Sequence, residues 1–156
     1  TMRIREGDPL EIYTSADGEV IFKKYSAINE MASSASQVAE VMTRLANCPT
    51  VVFDRDHVVA VAGVQKKEFS ERRVSRALEE YLESRKNYIR SSSAEAKVFP
   101  VEGVDQAALA CSPILASGDV TGAVAFLAPN DSAVANEVQQ NLIQAAAQFL
   151  GKQIED

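Results

Sequence analysis

Pairs of apolar segments that follow one another closely constrain the fold of this chain most. Thr50–Phe53 and Val58–Ala62 are β-branched runs separated by four polar residues, and Ala108–Leu115 and Thr121–Leu127 are separated by a short turn segment. Two strands joined in this way pair as an antiparallel hairpin. Segments with helical periodicity precede, separate and follow them, so the sequence predicts an α+β fold, an antiparallel sheet with helices gathered on one side.

Three segments predict these helices. The first begins near Ser26 and stops before Pro49, the second is capped by Ser70, and the third follows the turn Pro129–Asp131. The first and last have broad, Ala-rich apolar faces, which indicate either self-association or simple coverage of the sheet. The residues predicted for a self-association interface are Met31, Val38, Val138, Leu142 and Phe149.

Shorter strands are predicted outside the two hairpins. Leu10–Tyr13 alternates apolar and polar residues, and Val20–Phe22 follows after a turn at Ala16–Gly18, so residues before Tyr25 predict two further strands. Lys97–Val101 predicts another strand. Two strands alone are only marginally stable, so the N-terminal pair needs a partner.

Charge and hydropathy limit the classes of function. The 156 residues carry a formal net charge of −6, which disfavours tight nucleic-acid binding by this chain alone. Gln65–Arg90 is locally basic, but its acids are interleaved, which is typical of a solvated helix face. No apolar run approaches the roughly 20 residues that cross a bilayer, and the start lacks the apolar stretch of a signal peptide, so we expect no membrane partner.

Residues able to perform catalysis are few. His57 is the single histidine, Asp54 and Asp56 stand at a predicted hairpin turn, and Cys48 and Cys111 lie among small apolar residues. These residues lack the spacing of a metal site, and no glycine-rich phosphate-binding motif occurs. The sequence therefore predicts neither an enzyme, nor a metal site, nor a cofactor.

A concave apolar pocket is a second hypothesis beside self-association. The second helix would lie over the sheet, and the concavity between them could hold a small molecule or be an ordinary core. The residues predicted to line it are Phe53, Val61, Val74, Leu78, Tyr81, Cys111 and Phe126.

Several segments resemble sporulation regulators of the AbrB family that have a GAF-like C-terminal domain. Arg3–Ile12 and Asp17–Tyr25 are similar to the second half of the AbrB swapped-hairpin DNA-binding domain. Val52–Asp56, Val61–Lys67 and Gly118–Val124 are similar to the C-terminal part, so the resemblance covers essentially the whole chain.

The resemblance implies two domains: residues 1–24 as a partial, β-rich AbrB-like swapped-hairpin domain, and residues 25–156 as a GAF-like sensory and oligomerisation domain. It further implies a cytoplasmic, forespore transcription factor that activates or represses sporulation genes. Its expected partners are a second copy of the chain, giving dimers of GAF-like domains and a tetramer of the full-length protein, together with DNA. Whether the GAF-like domain also binds a small-molecule ligand is left open.

The family's DNA-contacting arginines lie mainly before the position of Thr1. We therefore expect DNA binding only through a complete AbrB domain and not by this segment alone, with supporting charges at Arg3, Arg5, Lys23 and Lys24. The alternative interpretation is a free-standing GAF-like protein that binds a ligand, or a thiol enzyme of that fold such as a methionine sulfoxide reductase. Such an enzyme needs reactive cysteines.

Overall fold

A computed structural model describes residues 3–6, 8–14, 20–24 and 32–155, the first three ranges as backbone only. Those three ranges are strands: β1 (Arg3–Glu6), β2 (Asp8–Thr14) and β3 (Val20–Lys24) form an antiparallel sheet in the order β1-β2-β3. The sequence predicted β2 and β3, while β1 was missed. The assignment of residues 1–24 and 25–156 to separate domains stays a prediction.

A second, five-stranded sheet contains both predicted hairpins. Its strands are β4 (Thr50–Asp54), β5 (Val58–Ala62), β6 (Tyr88–Ile89), β7 (Ala108–Ala116) and β8 (Asp119–Leu127). Their order is β5-β4-β8-β7-β6, and every neighbouring pair is antiparallel. The predicted α+β class with an antiparallel sheet is confirmed.

The helices lie on both faces of this sheet, and not on one as predicted. Along the central strand β8, Val124 and Phe126 belong to one buried cluster, while Ala123, Ala125 and Leu127 belong to another. Side chains alternate between the faces of a strand, so one sheet separates two cores. Helices α1 (Ala32–Ala46) and α4 (Glu137–Glu155) cover the first, and α2 (Lys66–Phe69) and α3 (Arg76–Ser84) cover the second.

Several boundaries differ from those predicted. The Ser75 side chain, and not Ser70, caps α3 by accepting a hydrogen bond from the Leu78 amide at 3.1 Å. Lys97–Val101 is not a strand, although Val101 forms an isolated bridge with Val74. The edge strand β6 was missed because its two residues are too few for a pattern. The predicted Ser26 cap lies outside the described residues.

Gly151 fixes how closely α4 approaches the sheet. A Cβ atom added there would meet the Leu115 carbonyl oxygen of β7, which is main chain and cannot rotate away. Gly151 is buried in the last part of α4. The position therefore requires glycine for space, although glycine is a poor helix former.

We expect Gly151→Ala to lower the free energy of unfolding by about 1 kcal/mol or more. Overpacking costs about 1–3 kcal/mol, and contact with main chain that cannot rotate away places this case near the upper end, so about 1–2 kcal/mol remains after the roughly 1 kcal/mol that alanine gains in helix propensity. Urea denaturation followed by circular dichroism measures the change. Gln148→Ala, at an exposed position of the same helix, is the control and should not destabilise. An unchanged midpoint for Gly151→Ala would contradict the close packing of α4.

Candidate functional site

The outer surface of α1 and α4 carries two apolar stripes with heptad spacing. On α4 the stripe runs through Val138, Leu142, Ala145 and Phe149, and on α1 it runs through Val38, Val41 and Leu45, with the polar Ser34 at its start. The intervals of four, three and four residues are those of a coiled-coil seam. We call these eight residues the helical face. The two helices contact one another, so the stripes lie on a common side of the sheet.

Large apolar side chains of the helical face are exposed to an unusual degree. Leu45 is 57% exposed, Val138 55%, Phe149 50% and Val41 42%. Between the helices runs a groove of about 490 Å³, lined on one side by Val38 and Val41 and on the other by Ala145 and Phe149. Contiguous exposed apolar surface of this kind is typical of interaction sites.

The predicted interface residues divide into three groups. Val138 and Phe149 are exposed on the helical face, Leu142 is half-buried against the core, and Val38 is buried while lining the groove. Met31 lies outside the described residues. Val41 and Leu45 are exposed on the same face and were not among the predicted interface residues, although the heptad interval from Val38 indicates both.

The Gln139 side chain joins the start of α4 to the end of α1. Its Oε1 accepts a hydrogen bond from the Asn136 amide at 2.9 Å, while Asn136 Oδ1 accepts one from the Gln139 amide at 2.8 Å. This reciprocal pair is a capping box. Gln139 Nε2 also donates to the Ala46 carbonyl at 2.9 Å, at the last residue of α1. One buried side chain thus satisfies main-chain groups of both helices.

We expect Gln139→Ala to lower the free energy of unfolding by about 1–3 kcal/mol. The substitution removes half of the capping box and leaves the Ala46 carbonyl buried without its donor. Chemical denaturation measures the loss, and Gln144→Ala on the exposed side of α4 is the matched control. Equal stability of the two variants would contradict the role of Gln139 as the joint between the helices.

The predicted pocket residues meet on the other face of the sheet, with one exception. Phe53, Val74, Leu78 and Cys111 belong to the second core, and Val61 and Tyr81 pack against it half-buried. Phe126 belongs instead to the core under α1 and α4. It pairs with Thr50, whereas the next pair along the two strands, Val51 with Ala125, faces α3. The placement of Phe126 in this group was wrong.

Two polar side chains that sequence reasoning missed lie at the margin of the second core. Tyr88 is 6% exposed, and its ring contacts the ring of Tyr81 with centroids 5.5 Å apart. Arg90 is 1% exposed and donates to the main-chain carbonyls of Ser93 and Glu95, each at 3.1 Å. Burial raises the pKa of the Tyr88 phenol, while the nearby Arg90 guanidinium opposes that rise. No local sequence pattern distinguishes a buried arginine such as Arg90 from a solvated one.

The two cysteines lie in different cores and do not converge. Cys48 belongs to the core under α1 and α4, and Cys111 to the core under α3, with the sheet between them. Burial raises the pKa of the Cys48 thiol to about 11, partly offset by a hydrogen bond with Gln139. Burial raises the pKa of Cys111 to about 12. Both thiols are therefore poor nucleophiles at neutral pH.

We expect both thiols to react at least about 100-fold more slowly with iodoacetamide at pH 8 than a free cysteine does. The thiolate is the reacting form, and a raised pKa together with burial suppresses it. Mass spectrometry of timed aliquots measures the rate, and the same protein in denaturant is the control that should react fully. Rapid labelling of either cysteine in the folded protein would contradict the burial and support a thiol enzyme.

The Asp54, Asp56 and His57 side chains cluster at the turn between β4 and β5. Their carboxylate oxygens and the imidazole nitrogen lie within 4.8 Å of one another. Asp54 Oδ1 accepts hydrogen bonds from the amides of Asp56 and His57, each at 2.7 Å. Aspartate is common in turns for this reason, so the turn itself explains the cluster.

The basic residues predicted to support DNA binding lie in β1 and β3. The backbone places Arg3 and Lys23 opposite Glu11, Arg5 opposite Pro9 and Lys24 opposite Leu10.

Comparison with known proteins identifies the family. Residues 30–155 match the model described as "Stage V sporulation protein T C-terminal, transcription factor". The chain is also 36% identical to stage V sporulation protein T of Bacillus subtilis (strain 168) over 157 residues, covering 99% of this chain and 86% of that protein. The chain belongs to the stage V sporulation protein T family. Among the described residues, no helix combines the length and hydropathy needed to cross a bilayer.

Solved structures show the fold that this family member adopts. The GAF domain/HD domain protein of Geobacter sulfurreducens is similar with a TM-score of 0.59 at 13% identity, covering 82% of this chain and 95% of that one. A type II free methionine-R-sulfoxide reductase from Thermoplasma acidophilum also gives 0.59, at 9% identity, covering 81% and 94%. At such identities the likeness concerns the fold alone, which is that of a GAF domain.

Proposed function

We propose that this chain is part of a transcription factor of sporulation genes whose GAF-like region, residues 25–156, joins copies of the protein and spaces their DNA-binding segments. Membership in the stage V sporulation protein T family supports a regulatory role. The observation that carries the oligomerising role is the helical face, with its two exposed apolar stripes at heptad spacing.

A second copy of the chain is the partner that the helical face fits best. Pairing two such faces about a two-fold axis would bring four helices together, with each groove receiving stripe residues of the other copy. The contact would cover Leu45, Val138 and Phe149, which are at least half exposed in the single chain. Small Ala145 in the α4 stripe permits close approach of the helix backbones.

DNA binding belongs in this proposal to a complete AbrB-like domain, of which residues 1–24 would form the second half. Arg3, Arg5, Lys23 and Lys24 would add supporting charge, and residues 1–156 alone would bind DNA weakly. A full-length tetramer would activate or repress its target genes in the cytoplasm of the forespore. The net charge of −6 agrees with a regulatory region that does not itself approach the phosphate backbone.

Sensing of a small molecule is the second part of the proposal, and it concerns the face of the sheet under α3. Phe53, Val61, Val74, Leu78 and Cys111 meet there, beside Tyr81. A ligand that stabilised one packing of this core would shift the populations of the assembly states. The free-standing thiol enzyme loses support, because its two cysteines are buried on opposite faces with raised pKa values.

Substitution in the α4 stripe tests the proposed assembly. Because Val138 is exposed, Val138→Asp should leave the fold intact, and in a symmetric contact it places two carboxylates in an apolar interface. We expect self-association to weaken by at least about 100-fold, measured by sedimentation velocity over a range of concentrations.

Gln144→Asp is the matched control, since it adds the same charge on the exposed polar side of α4. It should sediment like the wild type. A wild-type chain that stays monomeric, or a Val138→Asp variant that is folded and associates normally, would contradict the proposed assembly.

A further inference from the structure

The Tyr88 hydroxyl is buried without a hydrogen-bond partner among the described residues. Buried hydroxyls are normally satisfied, because removal from water without a partner costs free energy. The ring is fixed in place: β6 pairs Tyr88 with Cys111, and Tyr81 of α3 packs against it. The hydroxyl therefore has no simple way to reach another partner by rotating the side chain.

The Arg90 guanidinium approaches this hydroxyl as a donor and lowers its pKa, but the contact does not reach the distance and angle of a formed hydrogen bond. It is buried, and it donates to the main-chain carbonyls of Ser93, Glu95 and Ala96 at 3.1–3.5 Å. Within residues 32–155 it forms no ion pair. Arginine is seldom buried unless it is paired with an anion. The exposed Glu95 carboxylate interacts electrostatically with Arg90, but its hydrogen bonds go to Ser91 and Ser92, so the direct partners of the guanidinium are neutral main-chain oxygens.

Small side chains of the sheet lie beside Tyr88 and Arg90. From Tyr88 the cross-strand row continues through Cys111 and Ala125 to Val51, all on the face under α3. The segment that supplies the carbonyls to Arg90, residues 91–97, is exposed throughout. None of its residues belongs to a strand or helix, and the Lys97–Asp131 ion pair at 3.0 Å anchors its end, so residues 91–96 can shift without breaking a strand pairing.

We propose that Tyr88 and Arg90 form a binding site for a small molecule that carries a carboxylate or phosphate group. Its oxygen would accept the Tyr88 hydroxyl hydrogen bond and replace neutral carbonyls on the Arg90 guanidinium, whose planar donors match such oxyanions. A compact apolar body would lie against Cys111 and Ala125. This inference deepens the sensing role proposed above and rests on it.

The same residue connects the site to the helical face. The Arg90 carbonyl accepts a hydrogen bond from the Ala135 amide at 2.9 Å, directly before the Asn136 cap of α4. From there the Gln139 side chain reaches the Ala46 carbonyl of α1. A ligand that moves Arg90 therefore acts on the residues that set the start of α4 and the end of α1.

Two probe series test the site on residues 1–156: inorganic phosphate, and straight-chain monocarboxylates from acetate to hexanoate, each at constant ionic strength. We expect a saturable rise in melting temperature with one series, since a ligand that binds only the folded state stabilises it. Saturation with phosphate alone or with carboxylates alone identifies which oxyanion the site takes.

Tyr88→Phe is the decisive variant. It removes only an unpartnered hydroxyl, so it should fold at least as stably as the wild type, and it should bind the effective probe at least about tenfold more weakly. Ser84→Ala, which removes an exposed hydroxyl at the last residue of α3, is the control and should bind normally.

No saturable response to either series, or full binding by Tyr88→Phe, would overturn the inference. Sedimentation of the same samples separates it from the proposed assembly. If the wild type associates but neither probe binds, the site is wrong and the assembly stands. If a probe binds with the expected Tyr88 dependence while the chain stays monomeric, the assembly is wrong and the site stands.

Discussion

Burial of the five-stranded sheet on both faces is the constraint on which the rest of the GAF-like region depends. Because β8 and its neighbours alternate side chains between two cores, each face needs its own cover. Helices α1 and α4 cover one face and leave an apolar outer surface. The helix α3 and the loop after β6 cover the other. Self-association and ligand binding can thus occupy opposite sides of a single layer without competing for space.

Much of the fold could be predicted from the sequence, but which face each residue occupies could not. The two hairpins follow from apolar runs with polar turns between them, and α1 follows from its periodicity. Phe126 was misplaced because β8 is apolar at successive positions, so its sequence carries no polar alternation to distinguish the faces. The predicted Ser70 cap failed for a related reason: several serines and polar residues precede α3, and tertiary contacts at Val74 and Val101 decide where the helix begins.

The candidate sites were predictable only where the periodicity of the sequence shows which residues share a face. Val138 and Phe149 could be predicted because an amphipathic helix displays its stripes in sequence. Arg90 could not, since its burial arises from carbonyls of a loop folded back upon it. The cysteines show that fold and chemistry are separable: a reductase shares this architecture, yet here both thiols are buried apart.

Arg90 illustrates a consequence for how this region can diverge in evolution. Its main chain serves α4 through Ala135, and its side chain organises residues 93–96. Substituting the side chain would free three carbonyls at once, and because residues 93–96 are exposed, water would take the place of the guanidinium. A substitution at this position would therefore loosen the loop and leave the sheet folded. Lineages that retain the arginine keep the loop tied to the sheet, and a lineage that loses it is free to change the length and sequence of the loop.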